Sequence, residues 1–460
     1  MTHVHFIGIG GTGLSAIARL LLEMGNTVSG SDRVLSPLAG KLQADGAVIF
    51  TGHRAENVAG ADWVVRSSAI PDDNPEVVEA LKRGIPVYKR ADFLGRLMED
   101  KTGIAIAGTH GKTTTTAMIA WMLFALKHDP SFIVGSELSN LNTNARAGKG
   151  KPFVIEADEY DRMFLGLKPY YAVVTSIEHD HPDCYPTFGD MFSAFETFAG
   201  LLPEAGTLIA CTDDPAAACL LDGALMAGRK VLAYGLQKAK TGNVPHWTLG
   251  HDLIPNARGG FDFTASFGHW TGDIPVSLQV PGRYNVQNAL AALSIAALMG
   301  LPPIEAAGAL SEFRGTARRF EILGEAKGVI VINDYGHHPT EIKATLAGAR
   351  ARYPGKRIWA VWQPHTYSRT QTLSGQFISA FQDADEVLVT EIYASREPKQ
   401  DFSSATLVRS MQHPRAHFTD GLQETANHLL DHIRPGDVVI VFSAGDADQV
   451  SADVLAGLNK

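Results

Sequence analysis

An α/β chain of three domains in series is predicted from three observations. Short apolar runs of strand length recur along the chain, each followed by glycine and a helical stretch. Two of these strand-to-helix passages carry the glycines of a phosphate cradle. The 460 residues also exceed what a single hydrophobic core organises.

The first unit opens with an apolar strand, His3 to Ile9, which passes through glycines to an amphipathic helix, Leu14 to Met24, and a second strand, Thr27 to Ser31, ending at Asp32. Further short strands are expected at AVIF and DWVVRSSA, and the polar run EDKTG near Asp100 closes the unit. The second unit begins at GIAIAGTHGKTTTT and continues with buried strands at FVIEA, YAVVTSI and GTLIAC. Apolar strands alternating with helices indicate a parallel sheet. A polar stretch, Lys238 to Gly272, is expected to be β-rich or loop. A third unit starts near Gly315, with strands at GVIVIND, RIWAVWQ, EVLVTEI and DVVIVFS.

Composition narrows the function. Hydrophobic residues make up 45% and charged residues 19%, enough apolar material for packed cores throughout. A net charge of -9 with no basic run lacks the footprint of a nucleic-acid binder, so phosphate-binding elements point to small molecules. The three cysteines have neither metal-site spacing nor enough partners for a disulfide framework, which fits a reduced cytoplasm. The longest apolar run, Ala117 to Leu126, is too short to span a bilayer, and neither export nor membrane insertion is expected.

The strongest chemical signal is GTHGKTTT, Gly108 to Thr115, between an apolar strand and a helix. Backbone amides and a helix N-terminus attract phosphate oxygens there, Lys112 reaches the terminal phosphates, and the Thr113 hydroxyl is a Mg2+ ligand. Ile106 stands where the strict Walker spacing has glycine, so Gly108 and Gly111 form a shortened variant. Carboxylates and histidines follow two later strands: Glu156, Asp158, Glu159 and Asp161 in FVIEADEYD, and Glu178, Asp180, His181 and Asp183 in VVTSIEHDHPD. Carboxyl ends of parallel strands converge on the ligand crevice, and hard divalent ions take oxygen ligands, so Glu156 and His181 are the favoured metal ligands.

At the N-terminus, GIGGTG places Gly8, Gly10 and Gly13 in dinucleotide-binding spacing, with Asp32 about twenty residues on. Alone this suggests NAD; it equally makes a pyrophosphate cradle with a ribose acceptor for a UDP-sugar, and the phosphate loop downstream argues for ATP chemistry over hydride transfer. The last third carries Arg318 and Arg319 in GTARRFE, Asp334, Tyr335, His337 and His338 in NDYGHHPTE, and His365 and Arg369 in QPHTYSRT. Arginines offset charge on a transferring phosphoryl group, and histidines orient or deprotonate an amine. His337 and His338 do not easily face one substrate together. PGRYNVQNALAA offers Asn285 and Asn288 as polar groups for a nucleotide or as a helix start.

Taken in order, HFIGIGGTG, SGSD, SSAI, GTHGKTTT, EADEYD, DDP, PGRYNVQNA, DYGHHPTE and QPHTYSRT resemble the Mur ligases of peptidoglycan synthesis over nearly the whole chain. DYGHHPTE, QPHTYSRT and EIYASRE are similar to the alanine-adding branch. The resemblance implies a Rossmann-like UDP-sugar domain at 1–100, a central P-loop ATPase domain with a parallel sheet at 101–314 and a Rossmann-like C-terminal domain at 315–460. It implies that Gly8, Gly10, Gly11, Gly13, Ser31, Asp32, Ser67, Ser68 and Ala69 hold the UDP moiety of UDP-N-acetylmuramate. Gly108, Thr109, His110, Gly111, Lys112, Thr113 and Thr114, with Asn285, Asn288 and Arg319, would serve ATP, and Thr113, Glu156 and His181 would hold Mg2+. Lys112, Asp334, His338, His365 and Arg369 are the implied catalytic residues, with Tyr335 and His337 on the amino-acid side.

Three positions depart from the family pattern. Tyr284 stands where histidine is common, Tyr160 where the alanine-adding branch often has serine, and Ser443 begins SAGD in place of GAGD. EADEYD also occurs in the related murein tripeptide ligase. Thr187 to Pro203 contains no lysine, as in the alanine-adding branch, whereas sister ligases carry a carbamylated lysine there. The implied reaction phosphorylates the sugar's lactyl carboxylate with ATP, and the amine of L-alanine then displaces phosphate with His338 as base or orienting group. The chain is expected to act as a monomer or homodimer. Competing readings are the tripeptide ligase, an NAD-dependent oxidoreductase resting on GIGGTG alone, and a noncatalytic nucleotide switch.

Overall fold

The structure, a computed structural model, describes residues 2–237, 244, 246–268 and 272–460. Three sheets follow one another along the chain. The first is five-stranded and wholly parallel, in the order Val48–Thr51, Thr27–Asp32, His3–Ile7, Trp63–Arg66, Val87–Lys89. Its central strand ends two residues before the expected Ile9, because Gly8 turns the chain with φ 87°, and the following helix starts earlier, at Thr12–Glu23.

The second sheet has ten strands. Thr102–Ala107 lies between Tyr171–Val174 and Pro152–Glu156, and Thr207–Cys211 and Lys230–Gly235 extend the parallel part. Contrary to a purely parallel reading, both margins are antiparallel. Ser131–Leu138 pairs with Thr143–Arg146 at one edge, and Trp247–Pro255, Phe261–Phe267 and Ile274–Ser277 form a meander at the other. The region from Lys238 to Gly272 is thus β-rich at 247–267, while 238–243, 245 and 269–271 lie outside the described residues. The meander alternates buried Phe261, Phe263, Ala265 and Phe267 with outward polar residues, the signature of a sheet with one wet face.

The third sheet has six strands, with Val329–Asp334, Val438–Phe442, Ile358–Trp362, Glu386–Val389 and Ala416–Phe418 parallel and Glu321–Ala326 antiparallel at the edge. Every residue of Ile358–Trp362 and Val438–Phe442 is buried, as strands covered by helices on both faces require. Separate apolar clusters fill its two faces. In contrast, one continuous cluster runs from Phe6 and Phe93 of the first sheet to Phe164, Phe195 and Leu208 of the second. Among the described residues, no helix is long and apolar enough to cross a membrane.

Candidate active site

The strand Thr102–Ala107 delivers GTHGKTTT directly onto the helix Lys112–Ala125. Gly108 and Gly111 have φ of 136° and 80°, values that side-chain-bearing residues rarely adopt, and a Cβ on Gly108 would lie 2.0 Å from Thr175 Oγ1. Lys112 Nζ donates to the carbonyls of Gly108 (2.6 Å) and Thr109 (3.2 Å) and to Glu159 Oε1 (2.8 Å). Its ammonium is held above the usual lysine range: burial opposes the charge, and Glu159 outweighs it. The Thr109 hydroxyl donates to the carbonyl of Glu178, and Thr114 is buried at the cavity wall.

Hard oxygen donors collect beside the loop. Thr113 Oγ1 donates to Glu156 Oε1 at 2.9 Å, while Glu156 Oε2 accepts the Gly135 amide at 2.6 Å. Glu159 is 1% exposed, and burial pushes its carboxyl up to about 7 despite Lys112. Its second oxygen has no hydrogen-bond partner among the described residues. His181 Nε2 lies 3.8 Å from Glu159 Oε1, and burial lowers the affinity of this imidazole for a proton. An orphaned buried carboxylate oxygen, a neutral imidazole and a hydroxyl–carboxylate pair beside a phosphate loop suit a divalent cation. Glu159, absent from the sequence-derived ligand set, bridges Lys112 and His181.

A cavity of about 320 Å3 opens from the loop. His110, Gly111, Thr113 and Thr114 form one wall, Cys211, Asp213 and Tyr234 a second, and Arg319, Asp334 and Glu341 a third. Asn285 and Asn288 line it from the helix Arg283–Leu298: Thr115 Oγ1 donates to Asn288 Oδ1 at 3.0 Å, which ties that helix to GTHGKTTT, while Asn285 Nδ2 donates to the Pro281 carbonyl at the start of its own helix at 2.7 Å. Tyr284 lines the same cavity, near Asp334, and burial raises its phenol well above the ordinary value. Asp334 accepts the amides of Phe320 (2.8 Å) and Gly336 (2.7 Å), and burial lifts its carboxyl to about 6 even with Arg319 nearby. Arg319 lies over the Tyr335 ring at 5.1 Å.

The histidines divide by geometry. His338, expected as the base, is 2% exposed and caps the helix Pro339–Arg352, its Nδ1 accepting the Thr340 amide at 3.3 Å. Neighbouring His337 keeps its Nδ1 beside the Tyr335 carbonyl at 3.1 Å. A carbonyl only accepts, so Nδ1 carries the proton and Nε2 keeps its lone pair free. Burial lowers both imidazoles, His337 to about 3 with Arg369 adding to the effect and His338 to about 4 with His110 adding to it. His365 is lowered to about 4 by burial and by Arg369, whose guanidinium donates to its Nδ1 at 3.2 Å. Arg369 Nε also donates to Asp180 Oδ1 at 2.9 Å, both side chains buried. This pair joins the second metal-candidate loop to the C-terminal sheet, and Asp180 is held below the ordinary carboxylate range: burial opposes its charge and Arg369 overcomes it.

Around the N-terminal glycine loop, Asp32 Oδ2 accepts the Gly10 amide at 2.8 Å, and Gly13 abuts Arg90. Gly11 caps the first helix, and Gly8 packs on Ser67, with Ser68 and Ala69 exposed beside it. Ser31 is fully buried and donates to Glu76 Oε2 at 2.5 Å, so its hydroxyl serves an interior network with His53 rather than the loop surface. Several residues of the site were not singled out from sequence: Cys211, Tyr234, Gln287, Thr340 and Glu341. Only Glu341 carried a local signal, the capping-box spacing His338 to Glu341.

Comparisons with known proteins agree with this architecture. Residues 3–102 match the profile of the Mur ligase family catalytic domain, 106–296 the Mur ligase middle domain, and 318–445 the Mur ligase glutamate ligase domain. A UDP-N-acetylmuramate--L-alanine ligase of Pelotomaculum thermopropionicum is 42% identical over 96% of this chain and 95% of its own length. The crystal structure of UDP-N-acetylmuramate-alanine ligase from Thermotoga maritima superposes with a TM-score of 0.80 at 29% identity, covering 99% of both chains. A murein peptide ligase from Psychrobacter arcticus gives 0.71 at 25% identity over 100% of this chain and 99% of that one. This chain belongs to the Mur ligase family.

Proposed function

We propose that this protein joins L-alanine to the lactyl carboxylate of UDP-N-acetylmuramate, driven by ATP, in peptidoglycan biosynthesis. The observation that carries the reading is the junction at which the loop holding Asp180 and His181, beside the phosphate loop, meets the His337, His365 and Arg369 cluster through the Asp180–Arg369 pair. Identity of 42% to the alanine ligase of Pelotomaculum thermopropionicum supports the substrate assignment.

The chemistry is a two-step exchange. A lactyl carboxylate oxygen attacks the γ-phosphorus, the bond to the β–γ bridging oxygen breaks, and ADP leaves with that oxygen. Alanine's nitrogen then attacks the acyl carbon, and the C–O bond breaks to release phosphate. Lys112 and Arg319 offset the charge that spreads over the transferring group. Thr113, Glu156, Glu159 and His181 would hold Mg2+, which supplies further neutralisation of phosphate charge when bound. An imidazole held at about 3 is too weak a base to strip alanine's ammonium at neutral pH, so His337 orients the free amine through Nε2. It accepts the proton as the C–N bond forms and the nitrogen becomes acidic. Enclosure of the junction by buried Asp180 and Arg369 limits water that would hydrolyse the acyl phosphate.

The N-terminal glycine loop, with Asp32 and the segment Ser67 to Ala69, would bind the UDP moiety, and the succession of three separate sheets supports domain limits of 1–100, 101–314 and 315–460. A UDP-sugar substrate and three free cysteines support a cytoplasmic setting. A second reading, the murein tripeptide as the added amine, rests on the wording EADEYD, whose Tyr160 lies against the His181 ring at 5.0 Å. The deciding measurement is phosphate release from ATP, Mg2+ and UDP-N-acetylmuramate with L-alanine or with L-Ala-D-Glu-diaminopimelate. Amide product with alanine alone is expected. Product with the tripeptide alone transfers the chain to the recycling activity, and release without either amine revives a nucleotide switch.

A further inference from the structure

Glu341 sits where the phosphate loop meets the histidine loop, at the third position of the helix Pro339–Arg352. One oxygen, Oε2, accepts the amides of His337 (3.0 Å) and His338 (3.3 Å), which completes a capping box. Its other oxygen does something no cap requires: Oε1 lies 3.3 Å from His110 Nδ1 in the phosphate loop and 3.5 Å from Arg319 Nη1 at the cavity wall. On its far side, His110 Nε2 meets Glu178 Oε2 at 3.0 Å, and Glu178 in turn accepts the Thr340 hydroxyl at 2.8 Å. The imidazole of the phosphate loop is therefore held between one carboxylate from its own domain and one from the C-terminal domain.

His110, Glu178 and His338 have the residue types of a metal site, with ligand atoms within 4.8 Å of one another. The charges account for themselves without an ion. Burial disfavours a charged His110, yet Glu178 and Glu341 raise it to about 9, so two carboxylates face two cations, His110 and Arg319. Each of these groups borders the cavity.

We infer that Glu341 is a positioning residue that couples the phosphate loop to the histidine loop, so that the nucleotide and the amine are held in register across the domain junction. This rests on the ligase reading above for its catalytic consequence. Its charge also draws His110 and Arg319 away from phosphate, which makes nucleotide binding weaker than the two cations alone would give.

Glu341→Gln separates the cap from the charge, because glutamine at this position accepts the same two amides. The variant is expected to keep the helix cap, to lose about 10–100-fold in kcat with L-alanine, and to release more than one phosphate per amide formed as misplaced amine lets water reach the acyl phosphate. At pH 7 its affinity for ADP, measured by calorimetry, is expected to rise by about fivefold, a typical coupling between sites. Damage to folding moves these two readouts the same way; here they part. Wild-type turnover, stoichiometry and ADP affinity in Glu341→Gln would show that the side chain only caps the helix and overturn the inference. A parent enzyme inactive with L-alanine counts against the ligase reading alone, and the ADP comparison then decides: tightening sustains the coupling, and an unchanged Kd overturns it.

Discussion

Lys112 is the residue on which phosphate chemistry turns, and its removal has two separable consequences. Lys112→Ala takes away the cation that reaches along the loop and leaves Glu159 buried, where loss of its ion pair drives that carboxyl to protonate. Turnover is expected to fall by about 10^3-fold or more, as loss of a preorganised charge partner does, while UDP-N-acetylmuramate affinity stays near wild type because the glycine loop belongs to another sheet. Phosphate release and sugar-nucleotide calorimetry check the two halves; weakened sugar binding would refute the separation. Glu76 makes a prediction about acid. Burial opposes its charge, but His5, Ser31 and Asn57 bring the carboxyl from 4.5 down to about 2. The folded protein thus holds this carboxylate ionised after the unfolded chain has protonated it. Its contribution to stability is complete above about pH 4.5 and disappears as the pH falls toward 2. Glu76→Gln should be less stable at neutral pH and should flatten the acid dependence of melting in that interval, followed by tryptophan fluorescence, to which Trp63 of the same domain contributes. An unaltered slope would count against the network.

Between elements, close approach at glycine decides how the first two domains meet. The helix Arg90–Leu97 packs on the turn Tyr160–Gly166, where a Cβ on Gly95 would lie 2.3 Å from the Gly166 carbonyl oxygen. Backbone cannot swing aside as a side-chain end can, so Gly95→Ala should cost about 1–3 kcal/mol. Gly223 lies inside the helix Pro215–Met226 with nothing within 4 Å of its would-be Cβ. There alanine should stabilise by about 0.5–1 kcal/mol. Denaturant midpoints of the two variants should move in opposite directions, and parallel shifts would refute the assignment of Gly95 to the junction. Elements of this kind also show what the sequence makes legible. The phosphate loop could be read because strand, glycine and helix are contiguous. Val87–Lys89 and Ala416–Phe418 leave no mark in the sequence because three residues carry no periodicity, and neither do the antiparallel margins of the second sheet, because apolar runs do not specify strand direction. The site divides in the same way: His337 and His338 were visible as a pair, but which one keeps a free nitrogen depends on the Tyr335 carbonyl and the helix cap. Glu341 carries only a local spacing signal after His338, whereas its contact with His110 joins residues far apart in the chain.

Over the whole molecule, the two domain junctions differ in kind. The first and second sheets share one continuous apolar cluster, and unfolding either exposes the surface of the other. The third sheet keeps its own clusters and meets the second through polar groups, among them Asp180–Arg369, Glu178–Thr340 and His110–Glu341. Polar junctions come apart into water at low cost, since each separated group is solvated, whereas an apolar junction does not. Arg369→Met should expose this difference. Breaking a buried ion pair by removing one partner costs about 3–5 kcal/mol while the other stays buried, and Asp180 escapes that cost if the C-terminal domain leaves. Calorimetry of the variant should therefore resolve a lower transition for residues beyond about 315, as the third sheet begins at Glu321, and an upper one for the two domains that share a core. Adding Asp180→Leu removes the stranded charge and should bring the transitions back together. One cooperative transition in Arg369→Met alone would mean that the C-terminal domain is held by more than its polar junction.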